Sequence, residues 1–134
     1  MSIGPVSGSG IAITLPVNKV IFWSALVQSS VDQFLQIKDS TNNVLFSTQG
    51  ASSSGGTPTQ IGEGFFQASD PSESYTVWIG TGGGQQWSRV LWTQDVITNA
   101  ASLYFGKYLF SSEDSGDNDY NDSYLQIQWF QYLG

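Results

Sequence analysis

The sequence predicts an all-β chain: an antiparallel β-sandwich of about nine short strands, Greek-key-like in its connections. Three observations predict it. Apolar residues alternate with polar ones over short runs, and no longer window shows a convincing helical period. Clusters of Gly, Ser, Asn, Asp and Pro interrupt these runs at a spacing of roughly 8–12 residues, the rhythm of a sandwich. The 134 residues, 40% hydrophobic and 14% aromatic, suffice for one domain with a real core and are too few for two.

Taken in order, residues 1–10 are rich in Gly and Ser and read as a flexible N-terminal arm ahead of a single domain over 11–134. Ile11, Ile13 and Leu15 alternate with Ala12 and Thr14, a short strand that Pro16 and Asn18 close. Lys19 to Val27 is apolar and rich in β-branched and aromatic residues, Ile21, Phe22 and Trp23 among them, and is expected to be a strand buried on both faces. A helix fits less well there, because no cap or helical period appears. Gln33 to Lys38 follows, with Phe34 and Gln36 on one face and Leu35 and Ile37 on the other. The turn formers 39–43 return the chain through Val44 to Thr48, giving a hairpin. Gln49 to Thr57 is a low-complexity loop. Thr59 to Ala68 and Ser74 to Ile79 are further strands. Gly80-Thr81-Gly82-Gly83-Gly84 joins the second of these to a strand over Gln86–Gln94. Consecutive glycines suit a hairpin needing positive φ or a close backbone approach. A phosphate-cradling loop is disfavoured, since no GK[ST] follows and no helix opens after it. Ala101 to Ser111 is aromatic and apolar. Finally Leu125, Ile127 and Trp129 alternate with Gln126 and Gln128, a half-buried strand. Trp23, Trp78, Trp87, Trp92 and Trp129 could stack on sugars, but the strand context of Trp23 and Trp129 favours the core.

Composition excludes several functions. Charged residues make up 11%, against an average near 25%, and Ser, Thr, Asn and Gln supply the polar surface instead. The net charge is −7, and the only basic residues are Lys19, Lys38, Arg89 and Lys107. Binding to a phosphate backbone is therefore not expected, so nucleic acid is excluded as a partner, and no basic patch addresses anionic lipid. With no cysteine there is neither a disulfide framework nor thiol chemistry. The first residues show no basic segment followed by a long apolar run, and no stretch is long and apolar enough to span a membrane. The expectation is a soluble chain without a visible signal peptide, cytoplasmic or exported by a non-standard route.

The acidity is local. Five of the eleven acidic residues fall between Glu113 and Asp122, and without them six acids face four bases. Packed like charges repel, so such a run either stays solvated or gathers a cation. Here the acids are interleaved with the turn formers Ser115, Gly116, Asn118 and Asn121, and an alternating strand follows at once. A loop held between strands can aim several carboxylates at one point. Oxygen ligands alone, with no Cys or His in the chain, suit a hard cation, and Ca²⁺, which takes 6–8 oxygens in flexible geometry, fits best. Asp117, Asp119 and Asn121 match the first ligand positions of an EF-hand loop. Asp122 replaces its glycine, Gln128 its final glutamate, and the flanks are not helical, so the EF-hand is rejected. Glu113 and Asp117 could be offered as a glycosidase pair, but crowded carboxylates around a cation are held ionised and cannot supply a general acid. Without histidine there is no serine or cysteine triad, and zinc is unsupported. The chain is not expected to be an enzyme.

The acidic loop resembles that of the two-calcium fucose/mannose-binding bacterial lectins, the family typified by the second soluble lectin of Pseudomonas aeruginosa. The matching residues are Ser112-Glu113-Asp114 and Asp117-Asn118-Asp119-Tyr120-Asn121-Asp122, with Trp129 and the terminal Leu133-Gly134 following. Gly10, Thr14-Leu15-Pro16, Asn18, Ala25 and Ser29-Ser30 match near the N-terminus. The resemblance implies a calcium-dependent carbohydrate-binding protein on residues 11–134, with two adjacent Ca²⁺ ions per subunit that directly ligate vicinal hydroxyls of a fucose- or mannose-type sugar. One ion would take Glu113, Asp117, Asp119 and Asp122; the other would take Asp119, Asn121, Asp122, Gln28 and the carboxylate of a neighbouring subunit's Gly134. Asp114 would accept a hydrogen bond from the sugar, and Ser29 and Ser30 would touch its rim. The sugar would thus meet Glu113, Asp117, Asp119, Asn121 and Asp122 through the ions they hold. Family members are dimers or tetramers, so a homodimer or homotetramer is implied.

Two departures bear on this. Gln28 stands where the family has Asn and is one methylene longer. The ending after Trp129 is two residues longer than the family's, about 7 Å of extended chain. The alternative kept alongside is a calcium-stabilised structural or adhesive β domain without sugar binding.

Overall fold

The computed structural model of the chain describes residues 2–3, 10–53, 57–114 and 116–132. Eleven strands and no helix occur among them: β1 Ser2–Ile3, β2 Ile11–Thr14, β3 Lys19–Val27, β4 Gln33–Asp39, β5 Val44–Gly50, β6 Thr59–Ala68, β7 Ser74–Thr81, β8 Gln86–Trp87, β9 Arg89–Asn99, β10 Ser102–Glu113 and β11 Ser123–Phe130. They form two antiparallel sheets. One has the order β1-β9-β10-β11-β3-β6; the other has the order β2-β7-β4-β5, with β8 also on β7. In the first sheet β9, β10 and β11 are consecutive hairpin-connected strands, and β3, from far earlier in the chain, lies beside β11, a Greek-key-like arrangement. Among the described residues no helix is long and apolar enough to cross a membrane.

The core lies between the sheets and is built by strand alternation. Ile21, Trp23, Ala25 and Val27 of β3 point inward, as do Leu125, Ile127 and Trp129 of β11 and Leu35 and Ile37 of β4. Trp23 stacks on Phe46 across the gap with ring centres 4.0 Å apart. The Tyr108 hydroxyl donates to the Thr14 carbonyl at 2.9 Å and accepts from the Thr14 amide at 3.2 Å, stitching β10 to the end of β2. Trp129 lies against Gly106, its partner in the β10–β11 register. A Cβ on Gly106 would come within 2.2 Å of the indole, so only glycine permits this approach.

Most expected strands are present, with β3 and β6 at the expected bounds. Two readings need correction. β3 is not buried on both faces: Val20, Phe22 and Leu26 point outward from the six-stranded sheet, and Val20 and Leu26 are exposed. An apolar run alone cannot distinguish a strand between two layers from one whose outer face is apolar and open. The strand expected over Gln86–Gln94 breaks at Ser88, whose amide donates to the Ile79 carbonyl at 3.0 Å. Gln86–Trp87 pairs with β7 in one sheet, and Arg89 onward joins the other. The described residues hold eleven strands where about nine were expected, the two extra, β1 and β8, being two-residue strands that leave no periodic signal. Of the arm expected over 1–10, Ser2–Ile3 pairs with Trp92 and Leu91 of β9, and residues 4–9 lie outside the described set. The glycine hairpin is as expected: Gly82, Gly83 and Gly84 all have positive φ between β7 and β8.

Antiparallel pairing gathers four strand ends at one end of the sandwich. Ser112 of β10 faces Ser123 of β11, and Ser123 faces Val27 of β3. The loop 113–122 and the segment 28–32 therefore emerge side by side, next to the start of β4.

Candidate metal centre

The acidic loop is pinned at both ends before any ion is considered. The Asp122 amide donates to the Ser112 carbonyl at 3.0 Å, and the Gln28 amide donates to the Asp122 carbonyl at 3.0 Å. The Ser111 hydroxyl donates to the Tyr120 carbonyl. Within the loop, Asn118 and Tyr120 adopt positive φ, with values of 62° and 53°. Left-handed residues reverse the chain, and here they turn it back on the end of β10. The Asp119 amide donates to Glu113 Oε2 at 3.1 Å, and the Asp114 amide donates to Asp122 Oδ2 at 2.7 Å.

This folding gathers the carboxylates into two groups that share Glu113. One is Glu113, Asp117 and Asp119; the other is Glu113, Asp114 and Asp122; in each, one oxygen per residue lies within 4.8 Å of the others. Oxygens bound to one Ca²⁺ at roughly 2.3–2.6 Å are no farther apart than about 5 Å, so both groups fit that ion without rebuilding the backbone. Glu113 is only 1% exposed. Burying a carboxylate costs free energy unless an opposite charge answers it. Arg89 faces Glu113 in the β9–β10 register, donates from Nη1 to Asn118 Oδ1 at 2.9 Å, and sits 5.8 Å from the Tyr120 ring centre.

The electrostatics point the same way. Asp117 is raised from the ordinary carboxylate value to about 6, chiefly because it shares a hydrogen bond with the Glu113 carboxyl, which needs a proton between them. Asp122 is raised to about 7, first by burial and then by its hydrogen bond with Glu113. Crowding thus raises the proton affinity of both groups, and a divalent cation would relieve the same repulsion with more charge. The donor set is oxygen only, as a hard cation requires.

Each residue singled out in the sequence can now be placed. Glu113, Asp114, Asp117, Asp119 and Asp122 converge as described. Asn121 is exposed, and it lines, with Gln28, Ser123 and Tyr124, one cavity of about 210 Å³ beside the loop. Asp119 and Asp122 do not fall in one close group; Glu113 is the carboxylate common to both. Ser29 donates from Oγ to Asp114 Oδ2 at 3.1 Å, so the two segments touch. Ser30 is exposed beside it. Gly134 lies outside the described residues. Two neighbours escaped the sequence reading. Arg89 braces the loop from β9, and no local pattern announces that. Gln33 donates from Nε2 to Asp114 Oδ2 at 2.7 Å. Its signal was visible, since alternation places it on the face of Leu35 and Ile37, where a polar residue is out of place.

Comparison with known proteins bears on the family and the fold. Residues 13–131 match a family model described as fucose-binding lectin II (PA-IIL). Thrombocorticin from Corticium sp. is 30% identical over 119 residues, covering 86% of this chain and 88% of thrombocorticin. The Chromobacterium violaceum lectin CV2L, solved in complex with alpha-methyl-fucoside, superposes with a TM-score of 0.74 at 25% identity, covering 95% of this chain and 100% of that one. The Ralstonia solanacearum high-affinity mannose-binding lectin shares the fold at a TM-score of 0.75 and 23% identity, over 96% of this chain and 100% of its own.

Proposed function

The chain belongs to the fucose-binding lectin II (PA-IIL) family, and from that membership we propose that it is a calcium-dependent carbohydrate-binding protein whose two adjacent Ca²⁺ ions directly ligate vicinal hydroxyls of a fucose- or mannose-type sugar. Membership of a lectin family places it with carbohydrate-binding rather than catalytic proteins. The observation that carries the calcium reading is the convergence of five carboxylates in two groups joined through a buried Glu113. Glu113, Asp117, Asp119 and Asp122 would hold one ion. Asp119, Asn121, Asp122 and Gln28 would hold the other, completed by the carboxylate of Gly134 from a second subunit. When bound, the ions supply Lewis-acid positions at which sugar hydroxyls replace water. The chain's own groups then orient the sugar: Asp114 accepts from a hydroxyl, and Ser29 and Ser30 form the rim.

A homodimer or homotetramer accompanies this reading. The outward face of the six-stranded sheet carries Val20, Phe65, Ile97 and Phe130, which are 55%, 70%, 61% and 68% exposed. Val20, Phe65 and Phe130, with Phe22, Gln128 and Tyr132, surround a groove of about 660 Å³ at the end of the sheet away from the acidic loop. Large contiguous apolar patches on soluble chains mark interaction surfaces. Two or more sites per assembly would let weak single-site affinities combine on a multivalent glycan.

Calorimetric titration of fucose and mannose, with calcium and then with EDTA, tests the proposal. Sugar heat that requires calcium is expected. Stabilisation by calcium without any sugar heat would make the chain a calcium-ordered adhesive domain, and sugar heat that survives EDTA would remove the ions from the site. Residues appended after Gly134 should weaken binding if that terminus is a ligand; unchanged affinity would take it out of the set.

A further inference from the structure

β4 points Gln33, Leu35 and Ile37 into the sandwich, and all three are 0% exposed. Leu35 and Ile37 suit that environment and Gln33 does not. Its Nε2 donates to Asp114 Oδ2 at 2.7 Å and to the Val31 carbonyl at 3.1 Å, while its Oε1 is buried with no hydrogen-bond partner. A buried acceptor without a donor destabilises the fold. Turning the amide over offers no relief, because Oε1 would then face the carboxylate, acceptor against acceptor. The amide orientation is thus dictated by Asp114, and the fold keeps an incompletely satisfied polar residue at a core position to hold it. The same amide ties down Val31, whose own amide donates to Ser29 Oγ at 3.0 Å, and Ser29 Oγ in turn donates to Asp114 Oδ2. One side chain therefore joins the 28–31 segment to the acidic loop. Both described side-chain bonds to Asp114 fall on Oδ2, which leaves Oδ1 for a ligand hydroxyl.

We infer that Gln33 is a positioning residue for sugar recognition, fixing the Asp114 carboxylate and the Ser29–Val31 segment in the one arrangement that receives the ligand. The inference rests on the reading of Asp114 as a sugar acceptor. Gln33 does not touch the sugar and acts through Asp114.

The test substitutes Gln33→Leu and, as a flexible unbranched filler of similar length, Gln33→Met, each in the native and in the Asp114→Asn background. Methyl α-fucoside and methyl α-mannoside are titrated in saturating calcium, and calcium affinity and Tm are measured on every variant. Loss of one charge-assisted hydrogen bond should weaken sugar binding about ten-fold or more. Calcium affinity should stay within about two-fold, and Tm should stay within a few degrees, because removal of the unpaired Oε1 from the core offsets the loss of the two bonds from Nε2. In the Asp114→Asn background the same substitutions should change sugar affinity less than about two-fold. Equal losses in both backgrounds, a fall in Tm matched by a fall in calcium affinity, or no loss of sugar affinity would each overturn the inference. If the unsubstituted protein binds neither glycoside in calcium, the lectin reading itself fails and takes this inference with it.

Discussion

The backbone amide of Asp119 donates to Glu113 Oε2 at 3.1 Å, closing a turn that sets two acidic side chains against a third, Asp117. That closure is local, and it crowds three carboxylates whose mutual repulsion a bound cation would relieve. The Asp119 carboxylate therefore matters to the ion far more than to the fold. Asp119→Ala should leave Tm in EDTA within a few degrees of the native value, yet remove the rise in Tm on adding millimolar calcium and the heat of sugar titration. Thermal scans with and without calcium check this; a variant that keeps the full calcium shift would exclude Asp119 from the ligand set.

Metal-free stability should depend on pH in an unusual direction. Asp117 near 6 and Asp122 near 7 lie above the ordinary carboxylate value of 3.8, so the folded chain keeps protons that the unfolded chain releases. The associated stability is fully present below about pH 3.8 and is lost as pH rises through 6 to 7. In EDTA, Tm should therefore fall between pH 5 and pH 8 as far as these two groups govern it, on the order of one to two protons being released on unfolding. Because calcium needs the same groups ionised, its affinity should weaken as pH falls below about 7. Calorimetric Tm and calcium titration across this window measure both slopes, and a metal-free Tm that climbs with pH would contradict the assignment.

Gly106 makes one of the tightest approaches in the core. A methyl group there would lie 2.2 Å from Trp129 Cζ2 and must push the indole out of its place between the sheets. Gly106→Ala should destabilise the protein by about 2–3 kcal/mol, an overpacking cost. Denaturant unfolding reads it; a loss under about 0.5 kcal/mol would mean the ring has room to move.

The apolar face of the six-stranded sheet gives a prediction about assembly. Phe65→Ser combined with Phe130→Ser removes the two most exposed aromatic rings of that face, both far along the sheet from the acidic loop. Sedimentation should show a smaller species than the native protein, with single-site sugar affinity unchanged within about two-fold. An unchanged sedimentation coefficient would place the subunit contact elsewhere.

The strands were legible because alternation is a local property. Leu125, Ile127 and Trp129 announce an inward face without reference to anything else in the chain, and the glycines 82–84 announce a reversal. What escaped the reading was relational. Ser88 divides one apolar run between two sheets through a bond to Ile79, and nothing within Gln86–Gln94 reveals that partner. The outward exposure of Val20 and Leu26 depends on whether a third layer exists, which their own sequence does not state. At the site, the acidic side chains were conspicuous by density alone. Arg89 and Gln33, 24 and 80 or more residues away, became neighbours only through the β9–β10 register and the start of β4.

The sequence by itself determined that this chain is all-β, that its charge is concentrated in one oxygen-rich loop, and that a hard cation suits that loop, because side-chain chemistry and period are written residue by residue. Tertiary structure alone decided that Glu113 is the buried carboxylate common to both groups, that residue 28 meets residue 122, and that a core glutamine holds Asp114. Those are distances between segments far apart in the chain, set by strand pairing and inter-sheet packing, and no local pattern encodes them.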